Sequence, residues 1–166
     1  PSDTAPAPSS DAPKELTVLK VAASPAPHAE ILTAAKEAMA AQGFDLQVTE
    51  YTDYIMPNNA VFNGEMDANY FQHQPYLTNF NANNKTDLVS VVSVHFEPLG
   101  IYPGKVKELS ALTDGATIVV PNDPTNEARA LNLLAAQGII TLKEGVGLAA
   151  TVKDITDNPK NVKITE

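Results

Sequence analysis

Short apolar runs rich in β-branched residues alternate with helix-patterned stretches along this chain, and that alternation constrains its fold more than any other feature. Residues 16–22 (LTVLKVA) make an apolar run of strand length. Ile31, Leu32, Ala35 and Met39 then recur at helical spacing across 28–42, and Gly43 is placed to stop that helix. Phe44, Leu46 and Val48 alternate with Asp45, Gln47 and Thr49, the pattern of a half-buried strand. Further helices are expected over 57–63, 72–81 and 124–137, and further strands over 67–71, 88–94, 116–120 and 161–164. Strand–helix–strand units of this length imply an α/β protein with a parallel or mixed sheet.

Composition removes several function classes. The chain has 166 residues, and 11 basic against 20 acidic side chains leave a net charge of −9. Such a surface disfavours nucleic acid and anionic membrane as non-specific partners. The absence of cysteine excludes disulfides, a thiolate zinc site and a cysteine nucleophile. No apolar run approaches the length of a membrane span. No Ser sits in a Gly-x-Ser-x-Gly elbow, and His28-Ala-Glu30 and His95-Phe-Glu97 lack the helical ligand spacing of a metal site, so no metal or cofactor is expected.

Prolines mark the boundaries. Pro1, Pro6, Pro8 and Pro13 lie among Ala, Ser and Asp, and residues 1–15 read as a disordered tether. Pro98-Leu-Gly-Ile-Tyr-Pro-Gly104 interrupts the strand–helix rhythm, and a hinge is expected at 101–104.

Two clusters carry chemistry. Asn69-Tyr-Phe-Gln-His-Gln-Pro-Tyr76 gathers three aromatics and a histidine just past an expected strand, where α/β proteins place ligands. Helix core and ligand wall are both open readings. The interleaved Asn69, Gln72, His73 and Gln74 weigh against core, because a buried segment must satisfy every amide. In Pro121-Asn-Asp-Pro-Thr-Asn-Glu-Ala-Arg129, Asp123 is a good N-cap and Pro124 a good first helical residue. Asn126 and Arg129 share a helix face, and Arg129 is the single arginine of the sequence. Its planar fork suits a carboxylate; pairing with Glu127 or another acid is the plainer alternative. A weaker motif, Gly145-Val-Gly-Leu-Ala-Ala150, matches a dinucleotide fingerprint and would make the protein a dinucleotide-dependent enzyme.

Several strings in order resemble the NlpA family of methionine-binding lipoproteins that serve bacterial ABC importers. They are Pro27-His-Ala-Glu-Ile-Leu32, Tyr51-Thr-Asp-Tyr54, Asp67-Ala-Asn-Tyr-Phe-Gln-His73 with Pro75-Tyr76, Pro121-Asn-Asp-Pro-Thr-Asn126 with Arg129, and 151–161. The resemblance runs from about residue 16 to residue 166. It implies a type II periplasmic-binding-protein fold: a first α/β lobe over 16–100, nearly complete, and a partial second lobe over 105–166. It implies a binding protein rather than an enzyme, with methionine as ligand and an ABC permease and ATPase as partners. It also implies a place in the cell envelope, through an N-terminal lipid anchor absent from this sequence. By position, Tyr54, Phe71, His73 and Tyr76 match the family's aromatic pocket, Arg129 its carboxylate grip and Asn126 the companion of that grip. Members of the family continue well past the equivalent of Glu166, so a C-terminally truncated chain that binds L-methionine poorly or not at all is the expectation. A surface lipoprotein of the same fold without ligand delivery is a third use of it.

Overall fold

The computed structural model describes residues 15–166, so all of the expected tether except Glu15 lies outside the described residues. The chain divides into two compact units, the first running to Val89 and the second from Ser90 to Glu166. Residues 101–104, expected as a hinge, fall inside the second unit in a stretch without regular structure.

The first unit is built on a three-stranded parallel sheet ordered β2-β1-β3. β1 (Thr17–Ala23) pairs along its whole length with β2 (Phe44–Glu50), and its last three residues pair with β3 (Ala68–Tyr70). Val21, Ala22 and Ala23 are buried at that carboxyl-terminal end of β1, where it has a neighbour on both sides. Asp67 latches β3 to β1: its N–H donates to the Lys20 carbonyl at 2.9 Å, and its Oδ2 accepts the Lys20 N–H at 2.7 Å.

Between β1 and β2 the chain crosses through α1 (Glu30–Ala41). The helix begins two residues later than the periodicity suggests. Pro27 pushes Ala26 into extended backbone (φ −130°, ψ 137°), and 25–29 form an irregular turn. Ile31, Leu32, Ala35 and Met39 are the half-buried positions of α1, the stripe expected from the sequence. Gly43, at φ +94°, makes the left-handed turn into β2. Two further helices flank β3. α2 (Met56–Phe62) precedes it, and α3 (Gln74–Asn84) follows with Leu77 and Phe80 buried.

The expected strand over 88–94 does not form. Among the described residues no strand pairs with it, and Val89, Val91 and Val92 are 79 %, 86 % and 70 % exposed. β-Branched residues favour a pleated surface, but a strand exists only where a neighbour accepts its backbone hydrogen bonds.

In the second unit β4 (Thr117–Val119) pairs in parallel with β7 (Lys163–Thr165). Between them lie α4 (Pro124–Ala136), β5 (Thr141–Leu142) and β6 (Ile155–Asp157), the last two forming an irregular antiparallel pair. Leu131 and Leu134 of α4 centre a core closed by Val120, Ile140, Ala150 and Val162.

Candidate functional site

Aromatic side chains converge in the first unit just past β3, at its carboxyl end. The rings of Tyr54, Phe71 and Tyr76 form a near-equilateral triangle. Their centroids lie 5.9 Å apart for Tyr54–Phe71, 6.0 Å for Tyr54–Tyr76 and 5.9 Å for Phe71–Tyr76. The last two pairs are edge-to-face at 77°, the arrangement aromatic quadrupoles prefer. Phe71 is buried while Tyr54 remains half exposed, so the cluster presents aromatic surface rather than closing into core. The Tyr76 hydroxyl donates to the Tyr54 carbonyl at 2.9 Å and ties the two segments together.

His73 lies between Phe71 and Tyr76 in sequence and is the N-cap of α3. Its Nδ1 accepts the Tyr76 N–H at 3.0 Å, so in the neutral ring the proton sits on Nε2. Sequence reasoning read the local amides as a reason to doubt a core role. The structure answers with Asn58, which that reasoning missed: it lies on α2, fully buried, and its Oδ1 accepts from both Asn69 and Gln72. The available signal was an amide directly after Pro57, too short a cue to rank above other asparagines.

The second unit holds the other candidates. Asp123 caps α4 as expected. Its Oδ1 accepts the Asn126 N–H at 3.0 Å and the Thr125 hydroxyl at 2.9 Å, and its Oδ2 accepts from Asn126 Nδ2 at 2.9 Å. Asn126, held this way, presents Oδ1 to Arg129 Nη1 at 2.7 Å, while Arg129 Nη2 donates to the Glu97 carbonyl at 3.1 Å. The guanidinium is thereby oriented by two neutral acceptors, and among the described residues it forms no ion pair with Glu127 or any other carboxylate. Glu127 is buried instead, with Oε1 lacking a hydrogen-bond donor. His95 and Glu97 touch at 2.7 Å, and within this unit no third His or carboxylate joins them among the described residues.

The glycine motif does not make a dinucleotide site. β5, which precedes it, runs antiparallel to its one partner among the described residues, and Gly145 and Gly147 lead into a single turn over Gly147–Ala149. A pyrophosphate site needs the N-terminus of a following helix, and none begins there.

Comparison with known proteins decides the family. The NlpA lipoprotein family matches residues 19–166 of the sequence. This chain belongs to the NlpA lipoprotein family. Its relatives include the membrane lipoprotein TpN32 of Treponema pallidum, 45 % identical over 140 residues, which cover 84 % of this chain and 52 % of that protein. The D-methionine-binding lipoprotein MetQ of Escherichia coli K12 is 46 % identical over 124 residues, 75 % of this chain and 46 % of MetQ. Among solved structures, a nutrient binding protein of Burkholderia cenocepacia bound to methionine superimposes with a TM-score of 0.85 at 43 % identity, over 89 % of this chain and 63 % of that one. NlpA-type lipoproteins have an α/β, periplasmic-binding-protein fold, and the described residues take it. The chain spans about half the length of the curated relatives it matches.

Proposed function

We propose that this chain is part of an extracytoplasmic solute-binding lipoprotein that captures methionine and delivers it to an ABC importer. The observation that carries this reading is the Tyr54–Phe71–Tyr76 triangle, presented at the carboxyl end of a parallel strand. A thioether against aromatic rings gains about 0.3–1.5 kcal/mol per contact. An unbranched Met side chain adapts to three tilted rings better than a branched aliphatic one. Tyr76 brings a polar tip to the same group. In the second unit Arg129, steadied by Asn126, offers a fork suited to a carboxylate. The role is binding, with no covalent step. A permease and an ATPase are the proposed partners, and an N-terminal lipid anchor holds the native protein at the cell envelope. No helix among the described residues is long and apolar enough to cross a membrane.

Nuclear magnetic resonance tests the reading on this chain, because it detects weak complexes. Added L- or D-methionine is expected to shift the ring resonances of Tyr54, Phe71, His73 and Tyr76, with an affinity weaker than micromolar. Aspartate is expected to leave them in place. Ring resonances unmoved by millimolar methionine of either hand would overturn the proposal.

A further inference from the structure

Three carboxamides interlock around the turn that carries the candidate aromatic residues. Asn58 and Gln72 form a reciprocal amide pair: Asn58 Nδ2 donates to Gln72 Oε1 at 3.0 Å, and Gln72 Nε2 donates back to Asn58 Oδ1 at 2.7 Å. Asn69 Nδ2 donates to Asn58 Oδ1 at 2.9 Å and to the Pro57 carbonyl at 3.2 Å. Its own Oδ1 accepts from Gln72 Nε2 at 3.2 Å. Asn58 is fully buried. The three residues come from α2, β3 and the β3–α3 turn.

Placement gives this network its meaning. Gln72 lies between Phe71 and His73, and Asn58 lies four residues after Tyr54. We propose that the Asn58–Asn69–Gln72 clasp is a positioning device for the aromatic pocket, with Asn58 as its central residue. The inference rests on reading Tyr54, Phe71, His73 and Tyr76 as the methionine-contacting group. Apolar contacts could fill the same volume at similar stability, but they are non-directional. Reciprocal amide bonds admit one register, so they fix the β3–α3 turn against α2 where no strand ladder reaches. The Tyr76 hydroxyl bond to the Tyr54 carbonyl adds a tie between α3 and the segment leading into α2. The rings are thus held at their mutual distances before ligand arrives, which lowers the ordering cost of binding.

Asn58→Asp is nearly isosteric but places a carboxylate oxygen against Gln72 Oε1, acceptor facing acceptor. Gln72→Met removes the reciprocal pair and keeps the Asn58–Asn69 bond. Both, with Asn58→Leu and the double variant Asn58→Leu/Gln72→Met, are made in the full 166-residue chain. Leu46→Ala, a core truncation in β2 outside the network, serves as the stability control. Two readouts are taken below the melting temperature: near-ultraviolet circular dichroism of the tyrosines, undisturbed because the chain has no tryptophan, and methionine titration. Asn58→Asp and Gln72→Met are expected to lose tyrosine ellipticity and to bind methionine about 10- to 100-fold more weakly, as when outer-shell partners of metal ligands are removed. The double variant is expected to lose no more than Asn58→Leu alone, and Leu46→Ala to retain both signals. A folded Asn58→Asp with wild-type spectrum and affinity would overturn the clasp, as would additive losses in the double variant. Should Asn58→Asp not fold, Gln72→Met decides by the same criteria. A wild-type chain that ignores methionine removes the methionine reading; the clasp is then judged by the tyrosine spectrum of the single variants, and its preservation there refutes the clasp.

Discussion

Arg129 offers the most direct test of how the second unit prepares a cationic group. Its fork is divided between two acceptors, Asn126 Oδ1 at 2.7 Å on the same helix and the Glu97 carbonyl at 3.1 Å, 32 residues away in sequence. A hydrogen bond from a charged donor contributes about 1.5–3 kcal/mol when buried. Arg129 is only half buried, and exposed charged contacts contribute roughly 0.2–1 kcal/mol, so about 1 kcal/mol per bond is the appropriate figure here. Arg129→Ala removes both bonds and should cost about 2 kcal/mol. Arg129→Lys keeps one compact donor group that cannot reach both acceptors at once, and should cost about 1 kcal/mol. Urea denaturation of the two variants beside the wild type measures these losses as shifts of the midpoint at constant slope. The same samples, titrated with methionine, test the proposed carboxylate grip: Arg129→Ala is expected to weaken binding and Arg129→Lys to retain part of it. Two variants both within about 0.3 kcal/mol of wild type would refute the reasoning. A lysine variant less stable than the alanine variant would refute it equally, because the ranking depends on one bond being kept.

Other consequences are as specific. Leu131 is 0 % exposed at the centre of the second unit's core, and Leu131→Ala should cost about 2–5 kcal/mol in the same denaturation assay. Tyr76→Phe keeps the ring triangle but removes the hydroxyl bond to the Tyr54 carbonyl; the expected stability loss is about 0.5–1 kcal/mol, with Tyr54 more readily quenched by acrylamide. The Thr151 hydroxyl, and then the Thr151 backbone N–H, hold the Asp154 carboxyl below its ordinary value of 3.8. With a lowered folded pKa, this cap stabilises above the unfolded carboxylate's pKa, and the contribution fades as pH falls through the folded value. Thr151→Ala should raise the Asp154 pKa toward the ordinary value, as read by carboxyl carbon shifts.

Much of the fold was legible because its determinants are local. The inner stripe of α1 follows from periodicity alone, and the stop at Gly43 follows from its freedom at positive φ. Asp123 and Pro124 announce the start of α4 within a single turn. The candidate site was legible by parts. The order Tyr54, Phe71, His73, Tyr76 singled out the aromatic segment, and the lone arginine singled out Arg129. Their geometry was not legible. Nothing in the spacing of 54 and 76 says that a hydroxyl of one meets a carbonyl of the other, since that contact depends on how α2 and α3 flank β3.

The sequence by itself determined the α/β class and the family, and it nominated candidate residues for the proposed grip on an amino acid. Each of these rests on residue type and on neighbours a few positions away. Only the tertiary structure decided which groups meet. It left 88–94 without a ladder despite four valines in seven residues. It paired β5 with β6 in antiparallel fashion, and it set Asn58 at the centre of the amide clasp. It also gave the Arg129 fork a second acceptor distant in the chain. Propensity is a property of the local chain, whereas a hydrogen bond needs a partner, and partners are assigned by packing.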